Sequence, residues 1–396
     1  MSEITRAELN ELILDSRDNL NLSNLDLSYL DLNNLTFLRG KLYETNFTGS
    51  DLTSAEFIAS DLLDSNLGGA NLTEVIFIDS NLSRVNLIGA NLTKVNIQKS
   101  VIVKAELIGA KLIGVNISNC ILEGADLTCI DLNNSNFENS NITDASFTIS
   151  NISNCRFINC NLSNTNFEGA NLTRVVMSNV ICRGAIFIGA KLIGAKLEKI
   201  NLQNSDFSQA NLTGVNLSNA DLSGVNFSGA NLSGSNLTGA NLTGAILTKT
   251  DFAGANLKDA CFEGLDLVTV NFKGASLVGA NLRKTNLENS DLSGLNLSYS
   301  SLSWSNLSNT NLEGANLFCS AFLRANLTGA NLTNANLEKT EFIRANLSSA
   351  KIYGANFSRS TLEGSNLTDL KYLDYDLGWP ELLDEIGTKF IKKGKD

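Results

Sequence analysis

Three kinds of side chain in this 396-residue sequence could do chemistry: seven cysteines, 41 carboxylates and a recurring set of glycines. Histidine is absent, which removes Ser-His and Cys-His nucleophiles, imidazole metal ligands and the one side chain whose unperturbed pKa lies near neutrality. A zinc site needs thiolates paired at short spacing. Cys129, Cys261 and Cys319 stand far apart, and Cys120, Cys155, Cys160 and Cys182 fall on positions that the repeat described next assigns to the core. Glycines such as Gly224, Gly229, Gly234 and Gly239 recur at multiples of five, with no Lys-Ser/Thr pair of a phosphate-binding loop among them. Most carboxylates directly precede a large apolar residue, where Asn serves as often. A position that accepts Asn needs a hydrogen-bond acceptor rather than an acid or base. The expectation is a non-enzyme with no catalytic residues, no cofactor and no metal.

The elements that hold these residues follow from one period. From Leu22 to Leu367 every fifth residue is large and apolar, without insertion or deletion, over seventy positions. Two residues before each lies a small one, usually Ala, Ser, Thr or Val, as in Ala70, Val85, Ala90 and Val95. A helix repeats every 3.6 residues and a flat strand every 2, so neither explains a period of five. A coil with one corner per five residues does, if the large and the small position both face inward. Phenylalanine sets the number of sides: Phe147, Phe167, Phe187, Phe207 and Phe227 are twenty apart, as are Phe37, Phe57 and Phe77. Rings stacked on rings in the next coil add roughly 0.5–1.5 kcal/mol per pair beyond burial. Twenty residues per turn means four sides, about 17 coils and, at ~4.8 Å per coil, a tube about 84 Å long.

The unit Ala90-Asn91-Leu92-Thr93-Lys94, or Ala240-Asn241-Leu242-Thr243-Gly244, matches A(D/N)LXX. The sequence therefore resembles the pentapeptide-repeat proteins. The resemblance implies an all-β solenoid, a right-handed quadrilateral β-helix over residues 20–369. It also implies a bacterial source, cyanobacteria included, and a rod-shaped protein-interaction scaffold. The family's gyrase-inhibiting members suggest an alternative, an acidic rod that imitates duplex DNA and inhibits or protects gyrase.

Both ends depart from the repeat. Residues 1–19 read as an N-terminal capping helix, Ser2 to Ser16, with Leu9, Leu12 and Ile13 on one face above a first coil of Leu20, Leu25, Leu30 and Leu35. Residues 370–396 read as a tail and a second helix from Pro380, with Leu382, Leu383, Ile386 and Phe390 on one side and lysines near its end. That helix is expected to cap the coil or to form a homodimer. No apolar run approaches the ~20 residues that cross a bilayer, and the opening residues lack the basic, then apolar pattern of a secretory signal. Cytoplasmic residence without membrane contact is expected, and the odd, scattered cysteines suit a reducing compartment.

Function is then expected on the surface. Residues 1–80 carry 14 acidic and 4 basic side chains, whereas residues 81–200 carry 8 and 11. Asp51, Asp61 and Asp64 represent the acidic end on which a DNA imitation would depend. The sharper candidate comes from stacking residues twenty apart: Lys284, Trp304, Arg324 and Arg344 share one outward row, with Arg283, Leu323 and Ile343 beside it and Tyr299 and Phe318 on the adjoining side. Trp, Tyr and Arg are enriched at binding hot spots, so the expected partner is another protein of unspecified identity, with no direct nucleic-acid binding. A second apolar row, Leu38, Ile58 and Ile78, is expected to pack against the N-terminal helix.

Overall fold

The computed structural model describes residues 4–16 and 20–372. The chain forms two compact units, Met1–Ala210 and Asn211–Asp396, although the five-residue register runs through the boundary unbroken. In each unit the chain winds as a parallel coil whose successive turns pair residue i with residue i+20, as in Asn21 with Lys41 and Asn311 with Asn331. Five residues per side and twenty per turn give four sides. Large and small repeat positions both point inward: Leu72, Val75, Phe77, Leu327 and Ala330 have no exposed surface. Residues between them alternate outward, so the core is a stack of apolar layers with polar walls.

In the first unit one side is regular sheet. Eight three-residue strands, β1 (Thr36–Leu38), β2 (Glu56–Ile58), β3 (Ile76–Ile78), β4 (Asn96–Gln98), β5 (Asn116–Ser118), β6 (Asn136–Glu138), β7 (Arg156–Ile158) and β8 (Val176–Ser178), pair in parallel in that order. Phe37, Phe57 and Phe77 stack within it, with centroids 4.8 and 4.9 Å apart. The corners that follow several of these strands are bonded across coils. Ser60 Oγ accepts the Gly40 N–H at 3.2 Å and donates to the Phe37 carbonyl at 2.7 Å. Ser80 does the same for Ser60 N–H and the Phe57 carbonyl, and Ser100 accepts Ser80 N–H. A hydroxyl from the next coil thus satisfies a main-chain donor that would otherwise close a tight turn, and the preceding three residues stay extended. This inner column reads Gly40, Ser60, Ser80, Ser100, Cys120, Ser140, Cys160, Val180, and the strand ladder ends at β8. Regular sheet accordingly spans seven coil-to-coil steps rather than the 17 coils expected from the repeat count, and single bridges carry the rest.

Helix α1 (Arg6–Ser16) is shorter than expected. Thr5 and Glu8 form a capping box, with the Glu8 carboxylate accepting from Thr5 N–H at 2.8 Å and Thr5 Oγ1 receiving the Glu8 N–H at 3.4 Å. Arg6 ties the helix to the coil through the carbonyls of Asp31 and Asn33, both at 3.0 Å, and the Asp31 carboxylate at 2.6 Å. Only Leu9 of the expected apolar face is buried; Ile13 is half-buried, while Leu12 is 44% and Leu14 79% exposed. An eleven-residue helix clamped at its N-terminal turn sets one residue into the coil, not a whole face. Leu38, Ile58 and Ile78 pair along β1 to β3, with Leu38 exposed. The expected helix from Pro380 lies outside the described residues.

In the second unit corners are tight, each closed by a bond such as Ala240 N–H to the Leu237 carbonyl at 3.0 Å. One stretch departs from this. Leu265, Val270 and Leu295 occupy the small inward position, and extra volume there forces neighbouring coils apart. Lys249 N–H bonds Thr269 Oγ1 at 2.9 Å instead of a carbonyl, the Phe252 and Phe272 rings lie 5.9 Å apart, and a cleft of about 500 Å³ opens beside Phe272 and Asp291.

Candidate partner-binding surface

Every fifth residue ends a side of the coil in left-handed backbone conformation, which directs its side chain outward. Most such corners carry Gly or Asn, the residues that tolerate positive φ best. Tyr299 and Trp304, at φ 62° and 64°, are bulky exceptions, as are Tyr29 and Ile149 in the first unit. Main-chain bonds from Lys284 to Ser303, Trp304 to Leu323 and Arg324 to Ile343, at 2.8–3.0 Å, hold the predicted row in register.

The structure joins two predicted groups into one surface. Arg324 places its guanidinium carbon 4.6 Å from the Trp304 ring centroid, a cation–π geometry. On the adjoining corner Tyr299 and Phe318 meet edge to face at 5.6 Å. Lys339, which the sequence reading did not include, sets its ammonium 5.0 Å from the Phe318 ring centroid. Its signal was available, because Lys339 lies twenty residues beyond Cys319 and forty beyond Tyr299. Between the two corners runs a low floor, Ser301, Ala321 and the buried Ser303, followed by half-buried Leu323 and Ile343. Ser301 and Ala321 stand where most coils carry Asn or Asp, so nothing projects between the rings. Trp304 is 45% and Tyr299 61% exposed. Arg324, Arg344 and Lys339 meet no carboxylate among the described residues.

Lys284 does not join the row as a free cation. Its ammonium pairs with Glu263 at 3.1 Å, and this bond, together with the Asn281 amide, holds the Glu263 carboxyl below its usual range. Beyond Lys284 the row continues through Trp304, Arg324 and Arg344, which meet no carboxylate among the described residues.

The acidic candidates have structural duties. Asp51 Oδ1 accepts from Thr53 N–H at 3.1 Å, Thr53 Oγ1 at 2.6 Å and Asn71 Nδ2 at 3.1 Å. Asp61 Oδ1 accepts from Leu63 N–H and Asn81 Nδ2. Asp64 is clamped by Arg84 through two bonds of 2.7 and 2.5 Å, which lowers its pKa. Glu74 pairs with Lys94 at 3.0 Å. The cysteines are all free. Burial pushes the Cys155 thiol up to about 12 and raises Cys120, Cys160 and Cys182 as well. Among the described residues no group of Cys, Asp and Glu could hold a metal ion, and no helix is long and apolar enough to cross a membrane.

These features define a four-sided parallel β-solenoid that carries an aromatic and cationic surface. The sequence pattern described as Pentapeptide repeats (8 copies) matches overlapping stretches from 65 to 157 and from 200 to 369, and that described as Pentapeptide repeat region matches 150–210. The chain belongs to the pentapeptide-repeat family. No curated protein matches it significantly. Similar solved structures include Rfr23, a pentapeptide repeat protein from the cyanobacterium Cyanothece 51142, at 32% identity, covering 31% of this chain and 91% of that one with a TM-score of 0.20. HetL, a pentapeptide repeat protein involved in heterocyst differentiation regulation from the cyanobacterium Nostoc sp. Strain PCC 7120, is 21% identical over 65% of this chain and 89% of its own, TM-score 0.16. A trypsin-treated variant of QnrB1, a plasmid-mediated fluoroquinolone resistance protein, is 19% identical over 50% and 89%, TM-score 0.23.

Proposed function

We propose that this protein is a non-enzymatic interaction scaffold whose protein partner docks on the surface around Trp304. The observation that carries the reading is the pairing of two exposed aromatic corners with Arg324, Arg344 and Lys339 across a floor of small residues. A stiff backbone beneath them lowers the ordering cost of binding. Such a surface suits an acidic, partly apolar segment, with the rings supplying buried area and the guanidinium groups pairing with carboxylates. Removing the indole is expected to cost on the order of 2 kcal/mol in binding, roughly 30-fold in affinity. Trp304→Ala, titrated against a protein captured from the source cell, should show that loss with an unchanged thermal melt. Tyr43→Ala, which removes another exposed aromatic, should bind as the parent does. Equal affinities for all three proteins would sink the reading.

The alternative, an acidic imitation of DNA that inhibits or protects gyrase, has weaker support, because Asp51, Asp61 and Asp64 bond within the coil. Gyrase supercoiling should be unaffected by the parent protein. Inhibition that disappears when these three residues become Lys would reverse the preference.

A further inference from the structure

Helix α1 presents a surface complementary to the one around Trp304. Beyond Leu9 it is held to the coil mainly by Arg6; its outward side carries Glu11, Leu14 and Asp15, and Leu12 lies on its flank beside Leu25. Glu11 and Asp15 meet no cation among the described residues. Glu8 is satisfied by its capping box, so the uncommitted carboxylates are these two. Leu14, at 79% exposure, is the most exposed large aliphatic side chain described. An acidic, partly apolar segment is what the Trp304 surface suits, and this chain displays one.

We propose that helix α1 of a second copy of this chain docks on the Trp304 surface, Leu14 against Trp304 and Leu323, and Glu11 and Asp15 against Arg324 and Arg344. The inference rests on the reading of that surface as a partner site. Spacing supports it. Glu11 and Asp15 are four residues apart on a helix, about 6 Å along its axis, and Arg324 and Arg344 are one coil apart, about 4.8 Å. Glu341, at the floor position beyond Ala321, repels carboxylates and directs them toward the arginines. Because the two surfaces are different, the contact is heterologous, and each copy keeps one free surface of each kind for the next. One short helix covers less area than a stable permanent interface, so assembly depends on concentration and weakens with salt.

The test is sedimentation velocity of the full chain in low salt, up to about 100 µM. The expected result is a concentration-dependent series larger than monomer. Glu11→Lys with Asp15→Lys, or Arg324→Glu with Arg344→Glu, should each weaken assembly at least about 10-fold, because reversing one side of the contact sets like charges against each other. An equimolar mixture of these two double variants should recover assembly, since the native helix of one meets the native surface of the other and the two reversed surfaces are again opposite in charge. All four side chains are exposed, and unchanged circular dichroism melts will show that both variants fold. A parent that stays monomeric throughout, assembly unchanged in both variants, or no recovery in the mixture would each overturn the proposal. If the parent is monomeric while Trp304→Ala still loses a captured protein, the second copy is the wrong occupant and the partner site stands. If assembly and its complementation are observed and no other protein is captured, the second copy is the partner.

Discussion

The two units follow one five-residue rule and differ in how their corners are closed. In the first, Ser60, Ser80, Ser100 and Ser140 reach from one coil to main-chain groups of another and leave β1 to β8 extended. In the second, serines such as Ser320 bond their own turn, to the Leu317 carbonyl at 2.6 Å, cross-coil bonds come from threonines such as Thr310 and Thr340, and single bridges hold the coils. Charge does not divide so cleanly, since Glu263 of the second unit pairs with Lys284. Asp64 and Glu74 of the first unit find Arg84 and Lys94 one coil on, whereas Arg324 and Lys339 of the second lie over rings. The lesson is that a polar side chain with a partner twenty residues away serves the coil. One without such a partner is available to something else.

The core gives the largest test of this contrast. Phe187 stacks between Phe167 at 4.8 Å and Phe207 at 4.4 Å, and Phe187→Ala should cost about 3–5 kcal/mol in denaturant unfolding. Outward Ser208→Ala should cost less than about 0.5 kcal/mol. Similar costs for the two would show that the inward assignment is wrong.

Alkaline pH separates the units next, since the buried thiols all lie in the first. Cys155 is raised from 9.0 to about 12 in the folded state by burial. The unfolded chain therefore releases its proton first, and the thiol's contribution to stability, present in full below pH 9, should be lost as pH rises from 9 toward 12. Cys155→Ala should flatten that fall. An unchanged slope would mean that the thiol is not buried as described.

Corner chemistry predicts a smaller difference. Ser80→Ala leaves the buried Ser60 N–H without its acceptor and should cost about 1–3 kcal/mol, whereas Ser320→Ala should cost about 1 kcal/mol or less. Hydrogen exchange at Ser60 should accelerate in Ser80→Ala. Protection that persists would show that the serine column does not hold the strands open. Smallest of all, Arg84→Ala removes only an exposed, solvent-screened pair and should leave stability nearly unchanged; thermal melts in low and high salt will measure it.

Much of the fold was legible because a period of five admits few geometries. The inward positions, four sides and the row from Trp304 to Arg344 all follow from counting. Lys339 was equally countable but was missed, because its contact depends on where Phe318 turns its ring. Lys284 was miscast because Glu263 is twenty-one residues away, one step off the column. The length of the N-terminal helix was legible from Thr5 and Glu8; the single buried leucine was not, since helix pattern describes a face and not how much coil lies beneath it.

The sequence by itself determined the coil, its layers and the columns that stack outward, because each repeat position can satisfy its burial and its main-chain bonds in only one register. Only the tertiary structure decided which columns are chemically spent. Whether Asp51 is a free charge or a bracket for Thr53 and Asn71, and whether Arg324 lies over an indole or across a carboxylate, depends on distances of a few ångströms between coils, and a repeat pattern fixes neighbours without fixing where their side chains turn.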